Sequence, residues 1–122
     1  MKHEITIDHD RELIMVRVSG DLTAQTVTEL TIEVGAVAAE HGIIRLLFDM
    51  REASEKATDL DAFFLAANPE KRGMEKQYRR AIVHDGRDRS YGFFETVSVN
   101  RGNTVKVFVD VDKALEWLLQ DQ

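Results

Sequence analysis

Charged side chains and one histidine follow the apolar stretches of this sequence, and these residues are the best placed to do chemistry. Asp49 and Arg51 come after the apolar residues 43–48, a second group begins at His84, and a third begins at Asp110. Carboxylates can bind cations or accept a phosphoryl group, and histidine can exchange protons near neutral pH. If the apolar stretches are parallel strands, all three groups lie at the carboxyl edge of one sheet, where ligands bind in such folds.

A phospho-aspartate or metal site similar to that of receiver domains is the first interpretation of the aspartates. Such a site needs paired acids after the first strand and a lysine after the last one. Here Asp8 and Asp10 fall in a predicted hairpin turn, and Lys106 falls inside a predicted strand. Helix capping and turn formation explain the aspartates more simply. The sequence therefore predicts no metal site and no cofactor.

Acid–base catalysis by His84 is a second interpretation. Its neighbour Asp85 points to the opposite face if the strand continues, whereas a catalytic pair needs both groups on one side. The chain contains no nucleophile elbow, P-loop, dinucleotide-binding glycine pattern or zinc-protease motif. We therefore expect a structural or solvent-facing His84 and a protein that is not an enzyme.

A glycine turn with two arginines forms a third candidate site. Gly86, Arg87 and Arg89 precede a predicted helix, and a helix N-terminus beside arginines can hold a phosphate. Asp88 opposes an anion at the same place and serves equally well as a helix cap. An anion site is therefore the less favoured interpretation of this loop.

Composition and charge exclude several functions. The 122 residues carry a net charge of -6, are 43% hydrophobic and include no cysteine, which is typical of one globular domain over residues 1–122 without disulfides or zinc–thiolate sites. Residues 1–70 have a net charge of -8 and residues 71–89 one of +4. We interpret the basic segment as a solvated surface, and the overall negative charge argues against nucleic acid. The apolar runs are too short to cross a bilayer and the start does not resemble a signal peptide, so we expect a cytoplasmic protein.

The hydrophobic pattern predicts the elements that position these residues. Residues 5–7 alternate like a strand and residues 13–18 are a second predicted strand. With the polar turn between them they predict an antiparallel hairpin, which residues 19–21 end. Thr23 is the predicted N-cap of a helix that Gly42 ends in a left-handed conformation. An antiparallel hairpin followed by a helix therefore opens the fold.

Strands and helices alternate in the rest of the chain. Residues 43–48, 81–84 and 105–109 are apolar runs typical of strands buried on both faces, and we predict that they are neighbouring parallel strands. The first is expected to end at Asp49, followed by a polar loop to Lys56. The order β-β-α-β-α-β-α-β-α predicts an α/β fold with right-handed crossovers. The helices after these strands are predicted to begin at Thr58, near Asp88, and at Asp110 or Asp112.

Two motifs and the order of the elements resemble a known family. The motifs are the strand end Leu46-Leu47-Phe48-Asp49 and the terminal Ala114-Leu115-Glu116-Trp117-Leu118. Together they are similar to the SpoIIAA-like group of the STAS superfamily over nearly the whole chain. The resemblance implies a SpoIIAA-like (STAS) βα superhelix with a mostly parallel five-stranded sheet and an antiparallel N-terminal strand. It also implies a non-enzymatic binding or regulatory module that acts through a protein partner.

The resemblance further implies a phosphorylatable serine, in an Asp-Ser motif, at the start of the helix after the Asp-ended strand. Residues 51–59 contain no Asp-Ser pair and no glycine, and Ser54 and Thr58 are the hydroxyls present. Acidic neighbours would repel a phosphate on either one. We therefore predict that residues 49–58 form an interaction surface that has lost serine phosphorylation. The residues expected to face a partner or ligand are Asp49, Arg51, Ser54, Thr58, His84, Gly86 and Arg87.

A small apolar ligand or lipid is the alternative to a protein partner. The SpoIIAA-like fold resembles that of the CRAL-TRIO lipid-binding domains, and the adjacent pairs Phe63-Phe64 and Phe93-Phe94 cannot each share one helix face. An enlarged core explains the pairs as well. A deep apolar cavity would favour the ligand, whereas a flat exposed patch would favour the protein. Trp117 is expected to be a buried anchor of the terminal helix, and both a monomer and a homodimer are compatible with the sequence.

Overall fold

The computed structural model describes residues 1–56, 61, 65–66, 69–74 and 76–120. The predicted helix start at Thr58 and the pair Phe63-Phe64 lie outside these residues. Within the described ranges, no helix is long and apolar enough to cross a membrane.

The strands are β1 (Lys2–Asp8), β2 (Leu13–Leu22), β3 (Arg45–Glu55), β4 (Arg79–Val83) and β5 (Thr104–Phe108). The helices are α1 (Ala24–His41), α2 (Ser90–Asn100) and α3 (Val111–Leu118), and a short 3-10 helix lies at Pro69–Arg72.

The strands form one sheet in the order β1-β2-β3-β4-β5. β1 runs antiparallel to β2, and the three other neighbouring pairs are parallel. The prediction that residues 43–48, 81–84 and 105–109 belong to adjacent parallel strands is therefore confirmed. Consecutive residues from Leu46 to Phe48 are all buried, because both faces of this central strand are covered.

Local hydrogen bonds fix the helix ends that the sequence predicts. The Thr23 hydroxyl accepts a bond from the Thr26 N–H at 3.2 Å, and the Thr26 hydroxyl accepts one from the Thr23 N–H at 2.9 Å. Gly42 follows α1 with a φ of 64°, a left-handed conformation that glycine adopts without strain. The Asp110 carboxylate caps α3 by accepting from the Asp112 N–H at 2.8 Å. These predicted helix boundaries are confirmed.

Helices lie on both faces of the sheet and divide the core into two clusters. On one face, α1 and α2 pack over alternate strand residues that include Val16, Phe48 and Ile82. On the other face, α3 packs over Leu47 and its neighbours. Because α3 contacts mainly β3, β4 and β5, polar residues of β2 such as Arg17 remain exposed on this second face.

β2 and β3 are longer than the hydrophobic pattern predicts. The expectation that residues 19–21 end the hairpin is wrong, because β2 continues through them to Leu22. The expectation that the next strand ends at Asp49 is also wrong, because β3 continues to Glu55 in parallel pairing with β2. Most residues of these extensions are polar, and only Leu22 and Met50 are buried apolar residues. The extensions therefore lack the regular apolar alternation by which a strand is recognised in a sequence.

A β-bulge allows the two extended strands to stay paired. Arg17 pairs with Asp49 but Ser19 pairs with Glu52, so β3 contains one extra residue at this point. Gly20 has a φ of 87°, and a Cβ there would lie 3.3 Å from the main chain at the N-terminus. A bulge bends the strand and re-aims its side chains. The segment predicted to be a loop after Asp49 is therefore a bent continuation of the sheet.

Two arginines of the basic segment are buried, which contradicts its interpretation as a solvated surface. Arg79 and Arg80 lie in β4 with only 6% and 5% of their surfaces exposed. Arg79 donates to the main-chain oxygens of Trp117 at 2.8 Å and Gln120 at 3.2 Å, and it lies 4.6 Å over the Trp117 ring. Burial, with Arg45 nearby, lowers the pKa of Arg79. The guanidinium therefore satisfies carbonyls that the end of α3 leaves open.

Trp117 stacks on Arg79 and packs against the core cluster beneath α3, as expected for the anchor of the terminal helix, but it is only partly buried. Its ring also lies 5.8 Å from the ring of Phe108.

Trp117→Ala should lower the free energy of unfolding by about 2–3 kcal/mol, less than for a fully buried tryptophan, since part of the ring already contacts water. Urea denaturation measures this loss. The matched control Glu116→Ala, at an exposed position of the same helix, should change it by less than about 0.5 kcal/mol; equal effects would contradict the stacking role.

Candidate functional site

A cleft of about 350 Å³ lies at the carboxyl ends of the parallel strands. Residues 50–54 of β3 form one wall, and residues from the loop after β4 and the start of α2 form the other. The walls face each other because β4 ends at Val83, level with Asp49, whereas β3 continues to Glu55. We call this space the carboxyl-edge cleft. Its second wall consists of Asp85, Arg87, Asp88 and Tyr91.

An ion pair between Asp49 and Arg51 stands beside the cleft. The Arg51 Nε and Nη2 atoms donate to the two Asp49 carboxylate oxygens at 2.9 and 2.7 Å, and the Arg51 N–H donates to Oδ1 at 3.2 Å. The hydrogen bonds from the Arg51 side chain, in spite of partial burial, hold the pKa of Asp49 below its ordinary value. The same bonds raise the pKa of Arg51. The Asp49 carboxylate is therefore ionised, and both its oxygens accept hydrogen bonds from Arg51. It is poorly suited to act as a base or a nucleophile.

Opposite charges continue from this ion pair across the neighbouring strands. Glu4 pairs with Arg17 in the sheet, and Arg17 pairs with Asp49. Arg17 adds a smaller favourable charge that also lowers the pKa of Asp49. Facing opposite charges on adjacent strands favours this register. The ladder therefore supports the register of β1, β2 and β3 at Asp49, where the polar part of β3 begins.

His84 holds the turn after β4. Its Nδ1 atom accepts a hydrogen bond from the Gly86 N–H at 3.0 Å, and its ring stacks on Tyr91 with 4.8 Å between centres. In the same turn, the Asp85 carboxylate accepts from the Arg87 N–H at 2.9 Å. These bonds engage the groups that a proton-transfer pair would need. The geometry favours a structural His84, in keeping with the sequence interpretation.

The structure brings together only part of the predicted set. Arg51, Ser54 and Arg87 line one cleft, while Asp49, His84 and Gly86 support its walls from outside. Ser54 is exposed in strand β3, and Thr58 lies outside the described residues. The pattern could not have assigned Ala53 or Tyr91 to the cleft, because an apolar residue in a predicted loop or helix is normally read as packing. The spacing of these two residues in the sequence gives no further indication that they share a cleft.

The loop at residues 86–90 does not form the anion site considered from the sequence. Asp88 accepts a hydrogen bond from the Ser90 N–H at 2.8 Å, so the carboxylate occupies the start of α2. Arg87 lies 3.5 Å from Asp85 and is 88% exposed. A carboxylate at the helix start repels an anion there. Among the described residues, no three histidine or acidic side chains converge as metal ligands.

An apolar groove of about 690 Å³ lies near the C-terminal end of α1, away from the carboxyl-edge cleft. It is lined by α1 and by the chain around Ile44 and Tyr78. Ile32 and Ile44 in its wall are 52% and 45% exposed. This is a groove on the surface and not a deep apolar cavity. Over the residues that the structure describes, the alternative of a small apolar ligand is therefore not supported.

The five-stranded sheet, its antiparallel first strand and the helices on both faces define the SpoIIAA (STAS) fold. Among solved structures, an uncharacterised protein of the DUF3478 family with a SpoIIAA-like fold from Shewanella loihica PV-4 is similar, with a TM-score of 0.60 and 24% identity, covering 95% of this chain and 93% of that one. The anti-sigma factor antagonist SpoIIAA in its unphosphorylated form has a TM-score of 0.59 and 13% identity, with 96% and 97% covered.

The sequence model of the SpoIIAA-like family matches residues 13–119. The chain therefore belongs to the SpoIIAA-like family, and the resemblance in the sequence is confirmed. No curated protein matches the chain. Because the two solved structures are less than a quarter identical to it, they establish the fold alone.

The Asp49–Arg51 pair should make stability depend on pH. Since the folded pKa of Asp49 is lowered, its contribution is complete above its ordinary pKa and is lost as the pH falls through the folded value. Asp49→Asn should therefore be less stable than the wild type by about 1 kcal/mol at pH 7, and the difference should shrink below about pH 4. Urea denaturation across this range measures it.

The control for this prediction is Asp21→Asn, at an exposed position of β2. It should change the free energy of unfolding at pH 7 by less than about 0.5 kcal/mol. Asp8 also has a pKa lowered by hydrogen bonds from Arg11, but it is present in both proteins and cancels from the difference. A difference for Asp49→Asn that grows on acidification would contradict the assignment.

Proposed function

We propose that this chain is a non-enzymatic binding module that recognises a protein partner through the carboxyl-edge cleft. The observation that carries the proposal is the end of β3, where five consecutive residues line the cleft. Arg51, Glu52 and Ser54 are exposed there. A rigid strand that presents exposed polar side chains beside a cleft is suited to contact another protein.

The acidic residues and the histidine near the strand ends already form hydrogen bonds or ion pairs within the chain, and this supports a binding function over an enzymatic one. Asp49 is paired with Arg51, and His84 holds a turn. Asp88 accepts from the Ser90 N–H at the start of α2, and Asp110 caps α3. A catalytic acid, base or nucleophile needs a group that is free to exchange a proton or attack a substrate. The groups named here are committed to the fold, and this favours binding over catalysis.

The family supports the same proposal. SpoIIAA, which shares the fold, is by its name an antagonist of an anti-sigma factor and so acts in regulation. We transfer only the class of function, a regulatory contact with a protein. We further propose that residues 1–122 act as one domain in the cytoplasm, as the composition predicts.

Site-specific photo-cross-linking in the native cell tests the proposal. A photoreactive amino acid placed at Ser54 or at Arg87 should give the same protein adduct, because both positions line one cleft. The controls are Glu40 and Glu116, exposed positions on α1 and α3 outside the cleft, which should not give it. Mass spectrometry identifies the adducts. Protein adducts from the controls alone, or none from the cleft, would refute a partner surface here.

The cleft should work without serine phosphorylation. Ser54 lies in strand β3 and pairs with Asp21 of β2, so a phosphate on it would gain no helix dipole and would meet nearby carboxylates, including Glu52. Phosphosite mapping of protein isolated from its native cell should find Ser54 unmodified, and the same expectation holds for Thr58. Substantial phosphate occupancy at either residue would contradict this prediction and would indicate that phosphorylation regulates the cleft. Ser54→Ala should accordingly leave the cross-linking pattern from Arg87 unchanged.

A further inference from the structure

The end of β3 carries an open strand edge. Beyond Asp49, β3 pairs with β2 on one side, and its other side faces the carboxyl-edge cleft. β4 would have to continue past Val83 to pair with this side, but it ends there. In the part of the chain that the structure describes, no other strand takes its place. A strand edge with unpaired main-chain groups is a template for another strand.

A main-chain hydrogen bond to β2 determines which residues of β3 direct their main-chain groups into the cleft. The Lys56 N–H donates to the Leu22 carbonyl of β2 at 2.8 Å. Successive residues of a strand direct their main-chain groups to opposite sides. The main-chain groups on the β2 side are therefore those of residues 52, 54 and 56. The main-chain groups of Ala53 and Glu55 point at the open edge.

The Arg51 N–H, which lies within the bulge, is already occupied. It donates to the Asp49 carboxylate at 3.2 Å, so the ion pair beside the cleft also closes the start of the open edge. Ala53 is the next residue along and has no such bond among the described residues. The available main-chain donor and acceptor in the middle of the cleft wall are therefore those of Ala53.

Strand β5, one of the two outer strands of the sheet, differs in this respect. On β5, the Val107 N–H donates to the Glu95 carboxylate of α2 at 2.6 Å, so a side chain blocks the middle of that edge. Blocking of this kind prevents unwanted strand pairing. The contrast leaves the β3 edge, and not the β5 edge, available for a partner strand.

The charges in the cleft indicate what the partner strand carries. Arg51 is paired with Asp49, and Arg87 lies beside Asp85. Glu52 forms no ion pair among the described residues, and it is exposed. A lysine or arginine on the partner would pair with this exposed carboxylate, which forms no close ion pair with the nearby Arg51.

We propose that the carboxyl-edge cleft binds an extended peptide segment of a partner protein by strand addition to residues 51–55 of β3. The segment lies beyond the end of β4, exchanges main-chain hydrogen bonds with Ala53 and presents a basic side chain to Glu52. This mode uses main-chain bonds for affinity and side chains for specificity. This proposal of strand addition rests on the proposed function and names the kind of partner that this function requires.

Selection from a phage-displayed library of random dodecapeptides tests the proposal. A recovered peptide should bind Ala53→Pro at least about tenfold more weakly than the wild type, because proline removes the edge N–H. Proline is tolerated at an edge position whose N–H faces outward. The matched control Ala53→Ser keeps the N–H and should bind within about twofold of wild type, and Glu52→Gln should weaken peptides that contain lysine or arginine.

Amide hydrogen exchange of the wild-type protein gives a second readout that needs no variant. Binding of the peptide should slow exchange of the Ala53 amide at least about tenfold, while docking through side chains alone would not protect it. A selection that returns no peptide sensitive to Ala53→Pro, or a bound peptide that leaves the Ala53 amide exposed, overturns strand addition. Cross-links from Ser54 and Arg87 that persist in that case would leave the partner surface standing, so the two proposals fail separately.

Discussion

Burial of β3 on both faces is the constraint on which the rest of the structure depends. Leu46 and Phe48 pack under α1 and α2, and Leu47 packs under α3. A strand that is apolar on both sides is stable only when both sides are covered, and parallel connections with helices provide that cover. The same connections bring the ends of β3, β4 and β5 to one edge. The position of the cleft is therefore a consequence of how the central strand is buried.

The cleft itself results from a difference in strand length. β4 leaves the sheet after Val83, whereas β3 continues with β2 as a polar ribbon to Glu55. Apolar burial holds this ribbon only in part, through Met50 and Leu22, because most of its other side chains are exposed. The bulge, the pairing with β2 and the Asp49–Arg51 ion pair also hold it. The interaction that stabilises the ribbon thus also determines which main-chain groups of its edge stay available.

The buried arginines illustrate the limit of arguments from charge. Around β4 the sequence is basic, yet Arg79 is buried beneath the end of α3, where its guanidinium meets main-chain oxygens and the face of Trp117. Arg80 is buried as well, with its guanidinium 5.7 Å from the Phe94 ring. Arginine can be buried in this way because its charge is spread over a planar group that stacks and donates in several directions. A count of charges along a sequence cannot distinguish this role from a solvated surface.

The sequence by itself determined the α/β class, the three central parallel strands, the caps at Thr23, Gly42 and Asp110, and the family. Each of these follows from a local signal, because apolar runs report burial and capping residues report helix ends. The extensions of β2 and β3, the burial of Arg79 and the assembly of the cleft were decided only by the tertiary structure. An exposed strand has no hydrophobic period, and an ion pair or a cleft depends on distances between elements that are not encoded in any one segment. The open edge at Ala53 exists because two strands of different length lie side by side, and that difference is a property of the folded chain.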